Sequence, residues 1–290
     1  MYDLSRGAPA DRPRSHVASP GGFRDGSGAS AGGGGAASGP PRGCRSGTLK
    51  DSQGGVRLVT FDVGGTLIHP NPSVGAVYAE VLTRRGFACE AADVDSAFER
   101  AWEAAARRVP PAPERYRRSP GGERGYWKGV LKGTVAELGG GEPPAGAAEE
   151  LFERFAQADT WRVYPEVPEI LEGLAQRGIP MGVISNWDSR LPRLLRELDL
   201  RRHFGPIVVS SLEDCEKPDR RIFLVAARRA GVRPEEVLHV GDRDVEDLEG
   251  ARRAGFRALK VERHNGEGAG LGLVLRWLER EKITACGSIP

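Results

Sequence analysis

The 290-residue chain predicts an α/β fold, a doubly wound parallel sheet interrupted by one all-helical insert. Two observations carry this expectation. In the second half, short β-rich runs alternate with amphipathic stretches of about ten to fifteen residues, the rhythm of parallel βαβ units. Between residues 70 and 160 that rhythm stops, and apolar residues recur at helical spacing alone.

In chain order, residues 1–55 come first, with 14 of the 40 glycines and only Tyr2, Leu4, Val17, Phe23 and Leu49 as large apolar side chains. Such a stretch buries too little surface to offset the entropy of ordering it, so a disordered extension is expected. Arg57-Leu58-Val59-Thr60-Phe61-Asp62 is the first strand and ends at a Gly-Gly turn. Helices are expected over 74–85, 92–108, 123–138 and 145–158, the second and third separated by the Pro-rich stretch 109–113. An insert placed after the first strand of a parallel sheet is a candidate lid over the ligand-binding end. After it, a helix around 171–177 leads to strand 181–185, helix 189–199, strand 207–209, helix 219–230, strand 237–240, helix 245–254, strand 258–261 and a last helix around 271–281. The domains expected are an α/β core over 56–69 and 160–290 and a helical insert over 70–159.

Composition narrows the function. With 42 basic and 40 acidic residues the formal charge is +2, which predicts no nucleic-acid partner. No run of 18 apolar residues offers a membrane span, and no apolar signal segment opens the chain. Cys44, Cys89, Cys215 and Cys286 form no Cys-x-x-Cys pair and read as free thiols, so a cytoplasmic protein is expected.

Four motifs fall just past predicted strands, where ligands bind in open α/β sheets. Asp62 ends the first strand and is followed by Gly64, Gly65 and Thr66. A carboxylate there can attack an electrophile without a base to activate it, or hold a metal. The Thr66 hydroxyl is expected to orient it. Ser185-Asn186 follows the strand 181–185 and suits phosphate oxygens, while Asp188 is expected to cap the next helix. Lys217 precedes Pro218 and Asp219, which open a helix, and its ammonium can pair with both Asp62 and a phosphoryl oxygen. Gly241-Asp242 ends another strand. Asp242 can share an octahedral Mg²⁺ with Asp62 and a backbone carbonyl, while Asp247 orients Lys217 or a metal-bound water. Each motif also has a plain structural explanation: a turn, a cap, an exposed lysine or a solvated helix start.

Together, Asp62-x-x-Gly65-Thr66-Leu67, Ser185-Asn186, Lys217-Pro218 and Gly241-Asp242-x4-Asp247 resemble the four motifs of the haloacid dehalogenase-like hydrolase superfamily, across roughly residues 57–265. The helical insert sits where the α-helical cap falls in subfamily I. The resemblance implies a Rossmann-like core, a mobile cap and an aspartyl-phosphate intermediate formed with Mg²⁺ on a small phosphorylated substrate. It makes Asp62 the nucleophile, with Lys217 and Thr66 at the reaction, Ser185, Asn186 and Lys217 on the phosphate, and Asp62, Gly64 and Asp242 on the metal.

One position departs from the pattern. Phosphatases of the family usually carry a second Asp two residues after the nucleophile, as acid and then base, and here that residue is Gly64. Losing such a group typically costs about 10²–10⁴-fold in rate. Acyl and aryl phosphates, with their better leaving groups, would suffer least. His69 and Asp244 are candidate substitutes. Two alternatives stay open: a phospho-ligand-binding protein without turnover, and a 2-haloacid dehalogenase, which the retained Gly241-Asp242 disfavours. A phosphonate-cleaving enzyme would need an early cap lysine, but the first insert helix has Arg84 and Arg85 there, which form no imine at neutral pH. Trp102, Tyr126, Trp127 and Phe155 are candidates to line the inner face of the insert.

Overall fold

A computed structural model describes residues 55–107, 114–263 and 270–286, with side chains over 55–106, 114–263 and 270–280. The expected extension over 1–55, apart from Gly55, and the Pro-rich stretch 109–113 lie outside the described residues.

Five parallel strands form the main sheet, in the order β5-β4-β1-β6-β7: β1 (Leu58–Phe61), β4 (Met181–Ser185), β5 (Phe204–Val209), β6 (Val237–Gly241) and β7 (Arg257–Lys260). All four residues of β1 are fully buried, as a central parallel strand covered on both faces requires. Side chains alternate between the two faces. Val59 and Phe61 pack with Leu171 and Leu174 of α6 (Val167–Gln176), Leu194 of α7 (Leu191–Glu197) and Val274 of α10 (Gly272–Cys286). Leu58 packs on the other face with Ile222 and Phe223 of α8 (Arg220–Ala230) and Ala251 of α9 (Gly250–Arg253). This is a Rossmann-type α/β sandwich, as expected. Strand β5 begins three residues before its expected start, at Phe204.

The insert contains α1 (Val74–Arg84), α2 (Ala91–Arg107), α3 (Arg115–Arg118), α4 (Gly122–Glu137) and α5 (Ala147–Arg154). It has apolar clusters of its own, one around Leu82, Leu131 and Val135 and one around Tyr116, Tyr126 and Val130. The short α3 was not expected, and α5 stops four residues before the expected end. Two strands at the ends of the insert were also missed: β2 (Ile68–Pro70) pairs antiparallel with β3 (Trp161–Val163). Three residues are too few to display a period of two, and Pro70 reads as a breaker.

The segment expected as one helix over 245–254 is divided. Asp244–Glu249 forms a wide π turn, and α-helix resumes only over Gly250–Arg253. No described helix is long and apolar enough to cross a membrane.

Candidate active site

Strand β1 delivers Asp62 to the C-terminal edge of the sheet, where its backbone N–H donates to Val240 O at 2.9 Å. The chain then turns sharply through Gly65, whose φ of 75° is the left-handed conformation that glycine adopts without strain. A Cβ at Gly65 would lie 2.7 Å from Asp242 Oδ2, so the turn also needs glycine for the second acid to approach.

Asp62 is 7% exposed. Its Oδ1 accepts from Ser185 Oγ at 2.9 Å and from Lys217 Nζ at 2.6 Å. Lys217 Nζ also donates to Asp247 Oδ1 at 2.5 Å, so one buried ammonium bridges two buried carboxylates. Burial pushes the Asp62 carboxyl above its ordinary value, against the pull of the Lys217 charge. The Lys217 ammonium therefore offsets part of what burial costs the carboxylate. Burial would lower the Lys217 pKa, but the charges of Asp247 and Asp62 outweigh it and hold the pKa above the ordinary lysine range.

Asp247 is the anchor of this network. Its Oδ1 faces His239 Nε2 at 3.2 Å, and its Oδ2 accepts from the Arg243 N–H at 3.0 Å. Burial opposes its charge, yet Lys217 and His239 hold the carboxyl well below the usual range. Burial lowers the pKa of His239 and favours the neutral ring. An acceptor-only Asp247 then requires the ring proton on Nε2, leaving Nδ1 to accept from Thr60 Oγ1 at 3.0 Å. The π turn lets Asp247 fold back into this position. His239 was not singled out from the sequence, although a histidine inside Val-Leu-His-Val is a buried polar group in need of partners.

Oxygen atoms of Asp62, Asp242 and Asp247 all lie within 4.8 Å of one another. The first two acids thus meet closely enough to share an ion. Burial, then the charges of Asp62 and Asp247, pushes the Asp242 carboxyl up to about 7. The oxygen-only donor set fits a hard divalent cation such as Mg²⁺.

Three expectations need correction. Thr66 Oγ1 donates to Asp242 Oδ1 at 3.2 Å, so the hydroxyl orients the second acid and not Asp62. The Asn186 amide is committed to the backbone of Lys217: its Nδ2 donates to Lys217 O at 2.9 Å, and its Oδ1 accepts from Lys217 N at 2.7 Å. It positions the lysine loop, whose Lys217–Pro218 peptide is cis. Neither proposed substitute for the missing acid is in place. His69 Nδ1 lies 2.9 Å from Pro70 O with its ring against Tyr164, and Asp244 pairs with Lys260 at 2.8 Å.

Gly64 leaves room for an indole. A Cβ there would lie 3.1 Å from Cζ3 of Trp187, which covers the turn after Asp62. Above Asp62, Lys217 and Asp242 opens a cavity of about 640 Å³ between insert and sheet. Of the four expected aromatic residues, Trp102, Trp127 and Phe155 line it. Tyr126 instead packs edge-on against Tyr116 and accepts from Arg115 at 3.3 Å. Trp161, Trp187, Arg190 and Arg243 also line the cavity; all but Trp161 lie within or beside the motifs, but nothing in the spacing marked them as lining residues. Asp188 does not cap α7, whose N-cap is Arg190 with no side-chain cap; it accepts from Arg190 N at 3.1 Å in the turn before that helix and binds the insert through Trp127 Nε1 at 2.8 Å.

A buried carboxylate stands at the end of a central parallel strand, joined to a lysine and facing a second acid under a helical layer, an arrangement suited to a hydrolase on a Rossmann-type core. The family described as haloacid dehalogenase-like hydrolase matches residues 56–255. The chain belongs to that family of hydrolases. It is 35% identical over 209 residues to haloacid dehalogenase-like hydrolase domain-containing protein 3 of Mus musculus, covering 71% of this chain and 82% of that protein. Phosphoglycolate phosphatase 1 of Pseudomonas aeruginosa is 32% identical, over 71% of this chain and 69% of that protein. Among solved structures, the magnesium-bound HAD-hydrolase YfnB of Bacillus subtilis superposes with a TM-score of 0.64 at 16% identity, covering 78% of this chain and 99% of that one.

Proposed function

We propose that this chain is a Mg²⁺-dependent phosphohydrolase acting on a small phosphorylated molecule through an aspartyl-phosphate on Asp62. The observation that supports it most is the meeting of three acids within 4.8 Å around one buried lysine. Asp62, Asp242 and the carbonyl of Gly64 would hold the ion, which when bound neutralises phosphoryl charge. The kinship with a phosphoglycolate phosphatase agrees with this chemistry.

In this mechanism Asp62 attacks phosphorus while Lys217 holds one carboxylate oxygen in place and offers positive charge to the phosphoryl group. Ser185 donates to the same region. Asp247 keeps Lys217 protonated and aimed, and Asn186 fixes its backbone. The residues 70–159 act as a cap that excludes water, over a core made of 56–69 and 160–290. Because Gly64 supplies no proton, esters with poor leaving groups react slowly, and so does hydrolysis of the phospho-aspartate.

Hydrolysis of acetyl phosphate and an aryl phosphate with and without Mg²⁺ tests the reading. Asp62→Asn should abolish turnover with both, and chelation should do the same. Gly64→Asp should speed hydrolysis of an alkyl phosphate, with Trp187 giving way by a few tenths of an ångström. Phosphate release that survives Asp62→Asn would refute the mechanism, and tight binding without any turnover would favour a phospho-ligand sensor.

A further inference from the structure

The cavity above Asp62 is more apolar than the reaction requires, and its charges are already matched. Trp161 and Trp187 lie with ring centroids 5.0 Å apart on one wall, and Phe98 and Trp102 stack at 6.5 Å and 11° on another. A volume of about 640 Å³ exceeds what a phosphoryl group on a two-carbon acid would fill and lies among the roughly 300–1,000 Å³ pockets that enclose ring-sized ligands.

The cations lining the cavity are paired. Arg190 Nη2 meets Asp188 Oδ2 at 2.5 Å, Arg115 Nε meets Glu216 Oε2 at 2.5 Å, and Arg243 Nε lies 3.5 Å from Glu246 Oε2. Among the described residues the remaining cation of the lining is Lys217, bound to Asp62 and Asp247. A substrate carrying its own carboxylate would have to compete with these acids for the cations of the lining. Leaving such a group unpaired against a largely apolar lining is costly.

The third observation is chemical. With Gly64 in place of a proton donor, the leaving oxygen must depart as an anion. A phenol oxygen, with a pKa of about 10, tolerates this. An alkoxide, close in basicity to hydroxide, does not.

Resting on the phosphohydrolase reading, we infer that the site takes monophosphate esters of uncharged aromatic alcohols, with the ring held between the tryptophan walls. Asp62 Oδ forms the new P–O bond, the P–O(aryl) bond breaks, and its electron pair leaves on the phenolate, which takes a proton from bulk water. Water then attacks phosphorus, the P–O bond to Asp62 breaks, and the carboxylate is restored. Inorganic phosphate leaves, and the proton lost by water passes to solvent or phosphate.

The test uses the full chain with Mg²⁺ and compares kcat/KM for 1-naphthyl, phenyl and 4-carboxyphenyl phosphate, with phosphoglycolate and acetyl phosphate alongside. 1-Naphthol is somewhat more acidic than phenol, so a naphthyl preference of roughly fivefold to tenfold reports the aromatic walls only in the part that the tryptophan variants remove. Trp102→Leu and Trp187→Leu should each shrink that ratio. The extra carboxylate should make 4-carboxyphenyl phosphate slower than phenyl despite its better leaving group. Equal or faster turnover of 4-carboxyphenyl phosphate or phosphoglycolate overturns the assignment while leaving the phosphohydrolase intact. Should acetyl phosphate and every ester prove inert, the enzyme reading fails, and calorimetry with benzylphosphonate against phosphonoacetate decides the ligand class: binding of the first alone upholds it, and binding of the second, or of neither, overturns it.

Discussion

Thr66 has one hydroxyl proton, and the fold gives it to Asp242 rather than to the nearer-in-sequence Asp62. Spacing alone could not separate the two, because both acids stand at strand ends and only the turn at Gly65 decides which lies beside Thr66. The consequence is measurable. A carboxylate that loses the hydrogen bond aiming it at a metal typically gives up about 10–100-fold in metal affinity. Thr66→Val keeps the shape of the side chain and removes only the donor, so Mg²⁺ binding measured by calorimetry should weaken by roughly tenfold or more. Thr66→Ser should retain most of it. Wild-type Mg²⁺ affinity in the valine variant would show that Asp242 needs no such support.

At the scale of elements, the informative case is the segment expected as one helix over 245–254. Its acids and apolar residues read as an ordinary helix start, and the capping tendency of Asp supports that reading. What overrides it is tertiary: Asp247 turns back to reach Lys217, His239 and the Arg243 N–H, and the backbone widens into a π turn to allow it. Such turns recur at functional sites. The strands β1, β4 and β6 were legible because each is a continuous apolar run ending in a polar motif, a signal contained in a few adjacent residues. The β2–β3 ribbon was not, because its evidence is the pairing of two three-residue pieces far apart in the chain. The close packing of the π turn yields a prediction at this scale. A Cβ on Gly241 would lie 2.3 Å from Asp247 Cγ, so Gly241→Ala must displace the anchor of the network. Overpacking of this kind costs about 1–3 kcal/mol, which in a domain of this size lowers Tm by about 2–12 °C. Gly205→Ala is the control, since its Cβ would meet only Met181 O at an ordinary 3.7 Å. A Tm for Gly241→Ala equal to that of the control would mean that the turn relaxes freely.

For the whole molecule, the division of labour between sheet and insert decides what a mutation between them can change. Asp62, Ser185, Lys217, Asp242 and Asp247 all stand on the sheet and its loops, whereas Trp102, Trp127 and Phe155 come from the insert or the segment just after α5. The first set was readable as motifs because the chemistry restricts residue type at each place. The cavity was hardly readable, because aromatic residues on amphipathic helices serve packing as readily as binding, as Tyr126 does. Among the described residues, the polar contacts that tie sheet and insert include Arg115 to Glu216 at 2.5 Å, Trp127 Nε1 to Asp188 at 2.8 Å, Arg190 to the carbonyl of Phe152, and Glu123 to the N–H and hydroxyl of Ser189, both at 2.7 Å. The last is exposed and carries no part of the acid cluster, so removing it loosens the closed arrangement without touching the chemistry. An interaction that supports closure equally in the bound and reacting states changes KM and leaves kcat in place. Glu123→Ala removes two charge-assisted hydrogen bonds; after solvent screening, a net loss near 1 kcal/mol corresponds to roughly a fivefold rise in KM. The amides of α4 should exchange faster with deuterium while those of β1 and β6 do not, because opening then precedes any loss of the sheet. Unchanged KM together with unchanged exchange in α4 would mean that the remaining contacts hold the insert, and that Glu123 merely completes the turn at Ser189.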